Sequence, residues 1–93
     1  MKWIRCTDQL PDPQKNCEYL LSVTSVDITD YYVRSWRISY IGNFKKDTNT
    51  FLVRYDHGYE EVGLHPIETN GSHDWVTHWI EIPIEDEWMN GIK

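Results

Sequence analysis

Apolar and polar residues alternate along much of this chain, and a period of two is typical of a β-strand with one buried face. In residues 17–26 (CEYLLSVTSV) the alternation puts Tyr19, Leu21 and Val23 on one face, so we predict a strand that turns this face to the core. Residues 30–41 (DYYVRSWRISYI) carry β-branched and aromatic side chains on both faces. This second pattern predicts a central strand that is covered at least partly on both sides.

Turn-forming residues follow in GNFKKDTNT, residues 42–50, where we predict a connection between strands. The alternation resumes in FLVRY, whose first, third and fifth residues we expect to face inward. Gly58 can adopt the positive φ values that close a short hairpin loop. We therefore predict antiparallel pairing of residues 50–55 with residues 59–64.

The dipeptide Asn70-Gly71 marks another turn and leads to a last strand over residues 74–82. Pro83 lacks a backbone N–H and is expected to end that strand or to mark it as an edge strand. Helical patterns are weak throughout. The fold class that we predict is mainly β: a small single domain of five or six mostly antiparallel strands, forming a curled sheet or partly open barrel with little helix.

A chain of 93 residues is long enough for one modest core, and five Trp, six Tyr and two Phe supply large side chains to fill it. We expect one domain over residues 1–88 and a frayed tail over residues 89–93. No apolar run reaches about 18 residues, so we predict no membrane span. Asp8 and Asp12 interrupt any leader of signal-peptide type, and we expect a cytoplasmic location.

Charge is distributed unevenly along the chain. Residues 1–55 hold eight Lys and Arg against six Asp and Glu, a balance of +2, whereas residues 56–93 hold one Lys against nine acidic residues, a balance of −8. An acidic half repels nucleic-acid backbones and attracts basic surfaces. Cys6 and Cys17 form no C-x-x-C pair, and in a cytoplasmic chain we expect two free thiols.

The four histidines do not have the spacing of a metal site. His73 and His78 lie five positions apart, which places them on opposite faces of a regular strand, and His57 and His65 fall in loops. The sequence also lacks a nucleophile elbow and a glycine-rich phosphate loop. We therefore predict no metal, no cofactor and no enzymatic activity, and we keep a metal-dependent enzyme around the histidines as the least favoured alternative.

His78 lies between two tryptophans in WVTHWIEIPI, residues 75–84. Regular alternation puts it on the face of Val76 and Ile80, opposite Thr77 and Trp79. An imidazole on an apolar face is most often structural, with a ring nitrogen bonded to a backbone carbonyl and the ring packed on aromatic side chains. We interpret His78 in this way rather than as a catalytic base.

Two surfaces are candidates for binding. The acidic segment that ends the chain suits a basic protein partner, and we predict contacts through Glu81, Glu85, Asp86, Glu87 and Trp88. Aromatic and basic residues in the second strand suit single-stranded nucleic acid instead, through Arg34, Trp36, Arg37 and Tyr40. The net charge of −6 opposes this alternative, because phosphate contacts supply most of such affinity.

Short motifs at both ends of the sequence resemble a family of small phage and prophage proteins known only as a domain of unknown function. Members begin W-I-x-x-x-D-x-L-P and finish T-H-W-x-x-L-P, with Ile82 here at the usual leucine. The matching residues are Trp3, Ile4, Asp8, Leu10, Pro11, Thr77, His78, Trp79 and Pro83.

The resemblance implies a bacterial cytoplasm, a mobile element and a short accessory protein whose two motifs meet. We then expect a short strand near Trp3 to pair with the strand around Trp79, and Asp8 to cap the turn at Leu10-Pro11. Thr77 and His78 would be polar side chains within an aromatic contact. The function that we predict is non-enzymatic binding of a host or phage protein.

Overall fold

Strand-forming patterns along the chain produce a single sheet in the computed structural model, which describes residues 2–15 and 17–82. Six antiparallel strands form this sheet in the order β1-β6-β2-β3-β4-β5, and the described residues contain no helix. The sheet is not closed into a barrel. The strands are β1 (Ile4–Arg5), β2 (Glu18–Ile28), β3 (Val33–Lys45), β4 (Thr50–Tyr55), β5 (Gly58–Val62) and β6 (Gly71–Glu81). The predicted strand end at Pro83, the domain boundary at residue 88 and the frayed tail at 89–93 lie outside the described residues.

The β4–β5 hairpin confirms the clearest local prediction. Tyr55 is paired with Gly58, so only two residues form the loop, and Gly58 has a φ of 131°. Such a positive φ favours glycine because a Cβ atom is strained there. Phe51 and Val53 are fully buried, as the alternation predicts.

β6 lies between β1 and β2, and it brings the two sequence motifs together. Ile4 of β1 is paired with Trp79 of β6, which confirms the expected contact between the motifs. The indole Nε1–H of Trp79 also donates to the carbonyl of Gln9, 2.9 Å away. Lys15 extends the contact, because its ammonium group lies 2.7 Å from a carboxylate oxygen of Glu81.

One face of the sheet carries the core, which is concentrated where β4 and β5 coil over β2 and β6. Tyr19 is packed edge-on against both Phe51 and Trp79, with ring centroids 6.4 and 5.4 Å apart. The end of β5 reaches β6 through a hydrogen bond from Val76 N–H to the Gly63 carbonyl, 2.9 Å long. The buried core residues are Tyr19, Leu21, Val23, Phe51, Val53, Val62, Val76 and Trp79.

β3 differs from the prediction in its bounds and in how much of it is buried. Residues 42–45, predicted as part of a turn, continue the strand because Phe44 is packed on Phe51. Residues 33–39 are all exposed, so the prediction of a strand covered on both sides is wrong there. The physical reason is the shortness of β4, which pairs with β3 only from Gly42 to Lys45.

Candidate functional site

A β-bulge in β6 decides which way His78 points. Ser22 of β2 is paired with His78, but the next residue, Val23, is paired with Val76, so Thr77 is an extra residue in β6. The bulge keeps Val76 and Trp79 both in the core, although they are three positions apart. The prediction that His78 shares the face of Val76 is therefore wrong: His78 lies on the face opposite the core.

The imidazole of His78 is held by its neighbour rather than by a backbone carbonyl. Its Nδ1 lies 2.8 Å from Oγ1 of Thr77, and the same hydroxyl donates to the Ser22 carbonyl at 3.3 Å. A hydroxyl has one proton, so both bonds form together only if Nδ1 carries a hydrogen and donates it. Nε2 of His78 is then the ring atom left for a ligand. Trp3 is packed edge-on against the ring, with centroids 6.4 Å apart.

Strand register places four polar residues in a straight line across the sheet, which we call the polar row: Arg5, His78, Ser22 and Ser39. Arg5 is paired with His78, His78 with Ser22, and Ser22 with Ser39. Directly paired side chains are about 4.5–5.5 Å apart at Cβ, so neighbours in the row are close enough to share a ligand. A pocket of about 240 Å³ opens over this row and is lined by Trp3, Ser22, Arg37, Ser39 and His78.

The charges around this pocket are positive, in contrast to the chain as a whole. Burial lowers the pKa of His78, and the positive charges of Arg37 and Arg5 lower it further, whereas Asp8 has a smaller opposing effect. A lowered pKa keeps the imidazole neutral near pH 7, and both arginines stay charged. The pocket therefore combines fixed positive charge, hydroxyl groups and one titratable ring.

A second pocket, of about 250 Å³, lies on the other side of His78 at the edge of β6. Arg5, Cys6, His65 and Trp75 are among its lining residues. Burial raises the pKa of the Cys6 thiol to about 11, so this thiol is protonated and a poor nucleophile at neutral pH. Cys6 and Cys17 are both free thiols in the structure.

Two of the four histidines, His65 and His78, line the second pocket, and the other two do not. His57 lies in the β4–β5 turn with Nε2 3.2 Å from a Glu60 carboxylate oxygen, and Nε2 of His73 lies 2.9 Å from the Thr69 carbonyl. Across residues 2–15 and 17–82, no three His, Cys, Asp or Glu side chains are arranged to hold a metal ion. The same residues include no helix that is long and apolar enough to cross a membrane.

The residues of the nucleic-acid alternative are divided between the two faces of β3. Arg34 and Trp36 share a face, and Arg34 lies over the ring of Tyr32 at 5.1 Å. Tyr40 is on that face too, but it is packed against Tyr55, with centroids 4.7 Å apart. Arg37 points the other way and lines the pocket of the polar row.

The outer edge of β3 from Val33 to Ile41, which we call the open edge, has no strand beside it among the described residues. Its side chains include several large exposed apolar groups. Trp36 is 44% exposed and Ile38 is 45% exposed on one face, and Val33 is 66% exposed on the other. Long apolar edges of this kind are ready templates for another strand.

The predicted acidic surface is described only in part. Glu81 forms the ion pair with Lys15 noted above, which partly neutralises it. Glu85, Asp86, Glu87 and Trp88 lie outside the described residues.

Residues of the first motif form a compact turn next to β6. The N–H groups of Asp8 and Gln9 both donate to the Arg5 carbonyl, at 3.0 and 3.1 Å. The turn therefore precedes Leu10-Pro11, and in the described part of the chain no hydrogen bond joins the Asp8 carboxylate to it. The capping role predicted for Asp8 is wrong for this reason. Pro11 is buried and Leu10 half-buried.

Arg5, Ser22 and Ser39 were not predicted as site residues from the sequence. They are far apart along the chain and only strand register brings them together. The β2–β3 loop could have indicated the register of these strands. In this loop Oγ1 of Thr29 accepts hydrogen bonds from the N–H groups of Tyr31 and Tyr32. A hairpin turn centred there places Ser22 opposite Ser39.

A family model described as "Protein of unknown function (DUF551)" matches residues 2–84. No curated protein and no solved structure matches the chain.

Proposed function

We propose a function for this chain, which belongs to the family of proteins of unknown function DUF551: it is a non-enzymatic protein-binding module that accepts an extended segment of another protein as an added strand. The observation that carries the proposal is the open edge of β3. Its backbone N–H and C=O groups on that side have no strand partner within the described residues.

Strand addition needs unpaired backbone groups for affinity and side chains for specificity. The open edge offers both, because its backbone is extended and Trp36 and Ile38 are half exposed on one face. Large aromatic side chains are the commonest anchors of protein interfaces. A monomeric protein rarely keeps such an apolar edge uncovered without a use for it.

The charge of the open edge indicates the chemistry of its partner. Arg34 and Arg37 lie within it on opposite faces, and residues 33–41 contain no carboxylate. A second copy paired through the same edge would bring four arginines into one two-stranded ribbon, where like charges destabilise cross-strand pairs. The partner that fits is an extended, apolar segment of a different protein that carries acidic side chains.

The acidic segment around Glu81 and residues 85–88 is the alternative surface for the same role, with a basic partner. Because the ion pair with Lys15 partly neutralises Glu81, we favour the open edge as the principal surface. The motif resemblance supports a setting in the bacterial cytoplasm, as an accessory protein of a phage or another mobile element. Its partner would then be a host or phage protein.

Single-stranded nucleic acid is the weaker alternative occupant. Arg34 and Trp36 are adjacent on one exposed face, which suits base stacking beside a phosphate. The packed ring of Tyr40 and the net charge of −6 work against it.

A site-specific crosslink tests the proposal. A photoreactive amino acid replaces Ser35 at the open edge, and a matched variant carries it at Ile67, which is also exposed but lies in a loop. Both variants are irradiated in bacterial lysate, and the crosslinked peptides are sequenced. We expect a partner crosslinked from position 35 and not from position 67, through an apolar, acidic segment. Equal crosslinking from both positions would argue against strand addition.

Hydrogen exchange on the purified complex provides the second measurement. Added-strand pairing slows exchange of the outward-pointing amides of residues 33–41, and Ile38→Lys weakens binding. Ile67→Lys is the matched control, since Ile67 is 52% exposed and lies in a loop away from this edge. A complex that leaves those amides unprotected overturns the proposal. So does concentration-dependent self-association that protects them, or a labelled oligonucleotide that protects them.

A further inference from the structure

The pocket above the polar row lies on one face of the sheet, whereas the proposed strand addition uses the backbone groups at the edge of β3; Arg37 and Ser39 belong to both. Among the described residues, two arginines lack acidic partners: Arg5, a member of the row, and Arg37, which lines the pocket. Within residues 2–15 and 17–82, no carboxylate forms an ion pair with Arg5 or Arg37, whereas Arg34 and Arg54 each have one, Asp27 at 3.5 Å and Glu18 at 3.9 Å.

Hydroxyl groups in the pocket are also unused. Ser22 is only 5% exposed, yet neither its hydroxyl nor that of Ser39 is hydrogen-bonded to another described residue. Both hydroxyls line the pocket, so they are available to donate a hydrogen bond to a ligand there. His78 lines the pocket as well, and its bond to Thr77 uses Nδ1 and leaves Nε2 available.

We infer that this pocket binds a small phosphate-bearing ligand, held by Arg37 with hydrogen bonds from Ser22 and Ser39, and from Nε2 of His78 once the ring is protonated. A guanidinium group donates two parallel hydrogen bonds to phosphate oxygens, and the charges of Arg37 and of protonated His78 together match a phosphate dianion. Trp3 at the rim supplies a flat apolar surface for a ring attached to the phosphate. The volume of about 240 Å³ lies below the roughly 300–1,000 Å³ of pockets for drug-sized molecules, so the ligand is small.

Protonation of His78 strengthens the binding. In the free protein, burial, Arg37 and Arg5 all disfavour the imidazolium, and only Asp8 opposes them. A bound phosphate offsets the two arginine charges and accepts a hydrogen bond from Nε2, which raises the pKa of His78. By linkage, protonation of His78 then strengthens the binding of the phosphate dianion as pH falls towards that pKa.

NMR titration of the whole chain tests the inference with two probes, inorganic phosphate and phenyl phosphate, at constant ionic strength. We expect saturable shifts of His78, tighter binding of phenyl phosphate than of inorganic phosphate, and a rise in the His78 pKa on binding. Loss of one charge-assisted contact lowers affinity about tenfold or more, which we expect for Arg37→Gln. Arg34→Gln, on the opposite face of the same strand, is the matched control and keeps wild-type affinity.

Three results would overturn the inference. One is an absence of saturable shifts at His78 with either probe, and another is equal affinity of Arg37→Gln and Arg34→Gln. The third is a His78 pKa that does not move in the presence of phenyl phosphate. Folding of each variant is checked from its amide spectrum. These outcomes are read at His78 and not at the outward-pointing amides of residues 33–41, so the two proposals fail or stand separately.

Discussion

Ser22 and His78 lie directly opposite each other on the face of the sheet that is turned away from the core. This pairing exists because Thr77 is accommodated as a bulge, and the Thr77 hydroxyl joins both residues through the Ser22 carbonyl and the His78 ring. The bulge therefore keeps Trp79 in the core while it orients the imidazole on the other face.

Replacing Thr77 with Val removes the hydroxyl and keeps the shape. Two partly buried groups, the Ser22 carbonyl and Nδ1 of His78, then lose a partner, and we expect the free energy of unfolding to fall by about 1–3 kcal/mol. Urea denaturation measures the change. Thr77→Ser restores the hydroxyl and is expected to lose less. An equal loss of unfolding free energy in both variants would show that the Thr77 hydroxyl does not stabilise the fold.

Gly42 is required where the backbone of β4 comes close to β3. A Cβ atom at this position would collide with the Leu52 carbonyl oxygen and lie 2.7 Å from Cδ1 of Leu21. We expect Gly42→Ala to lower the free energy of unfolding by about 1–3 kcal/mol, since backbone cannot move aside easily. Gly63→Ala is the control, because nothing lies within 4 Å of a Cβ built there. Similar denaturation midpoints for the two variants would contradict the close approach.

Tyr19 is fully buried, but its hydroxyl has no well-formed hydrogen bond among the described residues, and the thiol of Cys17, a weak partner, is the group next to it. Its ring fills the centre of the core, so the hydroxyl contributes a desolvation cost without a bond to offset it. We expect Tyr19→Phe to raise the free energy of unfolding by about 1 kcal/mol, measured by urea denaturation. A clear loss of stability would show that the hydroxyl is satisfied in solution.

Protonation of His78 should make stability depend on pH. Its pKa in the folded chain lies below the value of about 6.5 expected in the unfolded chain, so the unfolded state binds more protons between the two values. The free energy of unfolding therefore falls as pH drops from about 7 through the folded pKa. Comparing wild type with His78→Gln across this range isolates the contribution. Parallel curves for the two proteins would contradict it.

Local signals predicted the parts of the fold that depend on neighbouring residues. Gly58, which lies between two segments of alternating apolar and polar residues, was sufficient to predict the β4–β5 hairpin. The same alternation around Leu21 identified the core face of β2. The bulge at Thr77 leaves no such signal, because an extra residue changes the face of every later side chain without changing the composition.

The two candidate sites depend on features that the sequence does not display. β3 is rich in apolar residues on both faces, which normally indicates burial. How much of β3 is buried depends, however, on the length of a different strand, β4. The polar row joins residues from four strands, Arg5, His78, Ser22 and Ser39, and becomes visible only with the register. The residues of the polar row could therefore be identified only from the fold. The family motifs that contain Trp3 and Trp79, in contrast, correctly indicated that β1 and β6 meet.

The central claim is that the open edge of β3 is free in the isolated protein, and amide hydrogen exchange of the purified chain tests it most directly. We predict fast exchange for the outward-pointing amides from Val33 to Ile41, and slow exchange from Gly42 to Lys45, where β4 is paired. Sedimentation at the same concentration verifies that the chain is monomeric. Uniform protection along β3 in a monomer would contradict the claim.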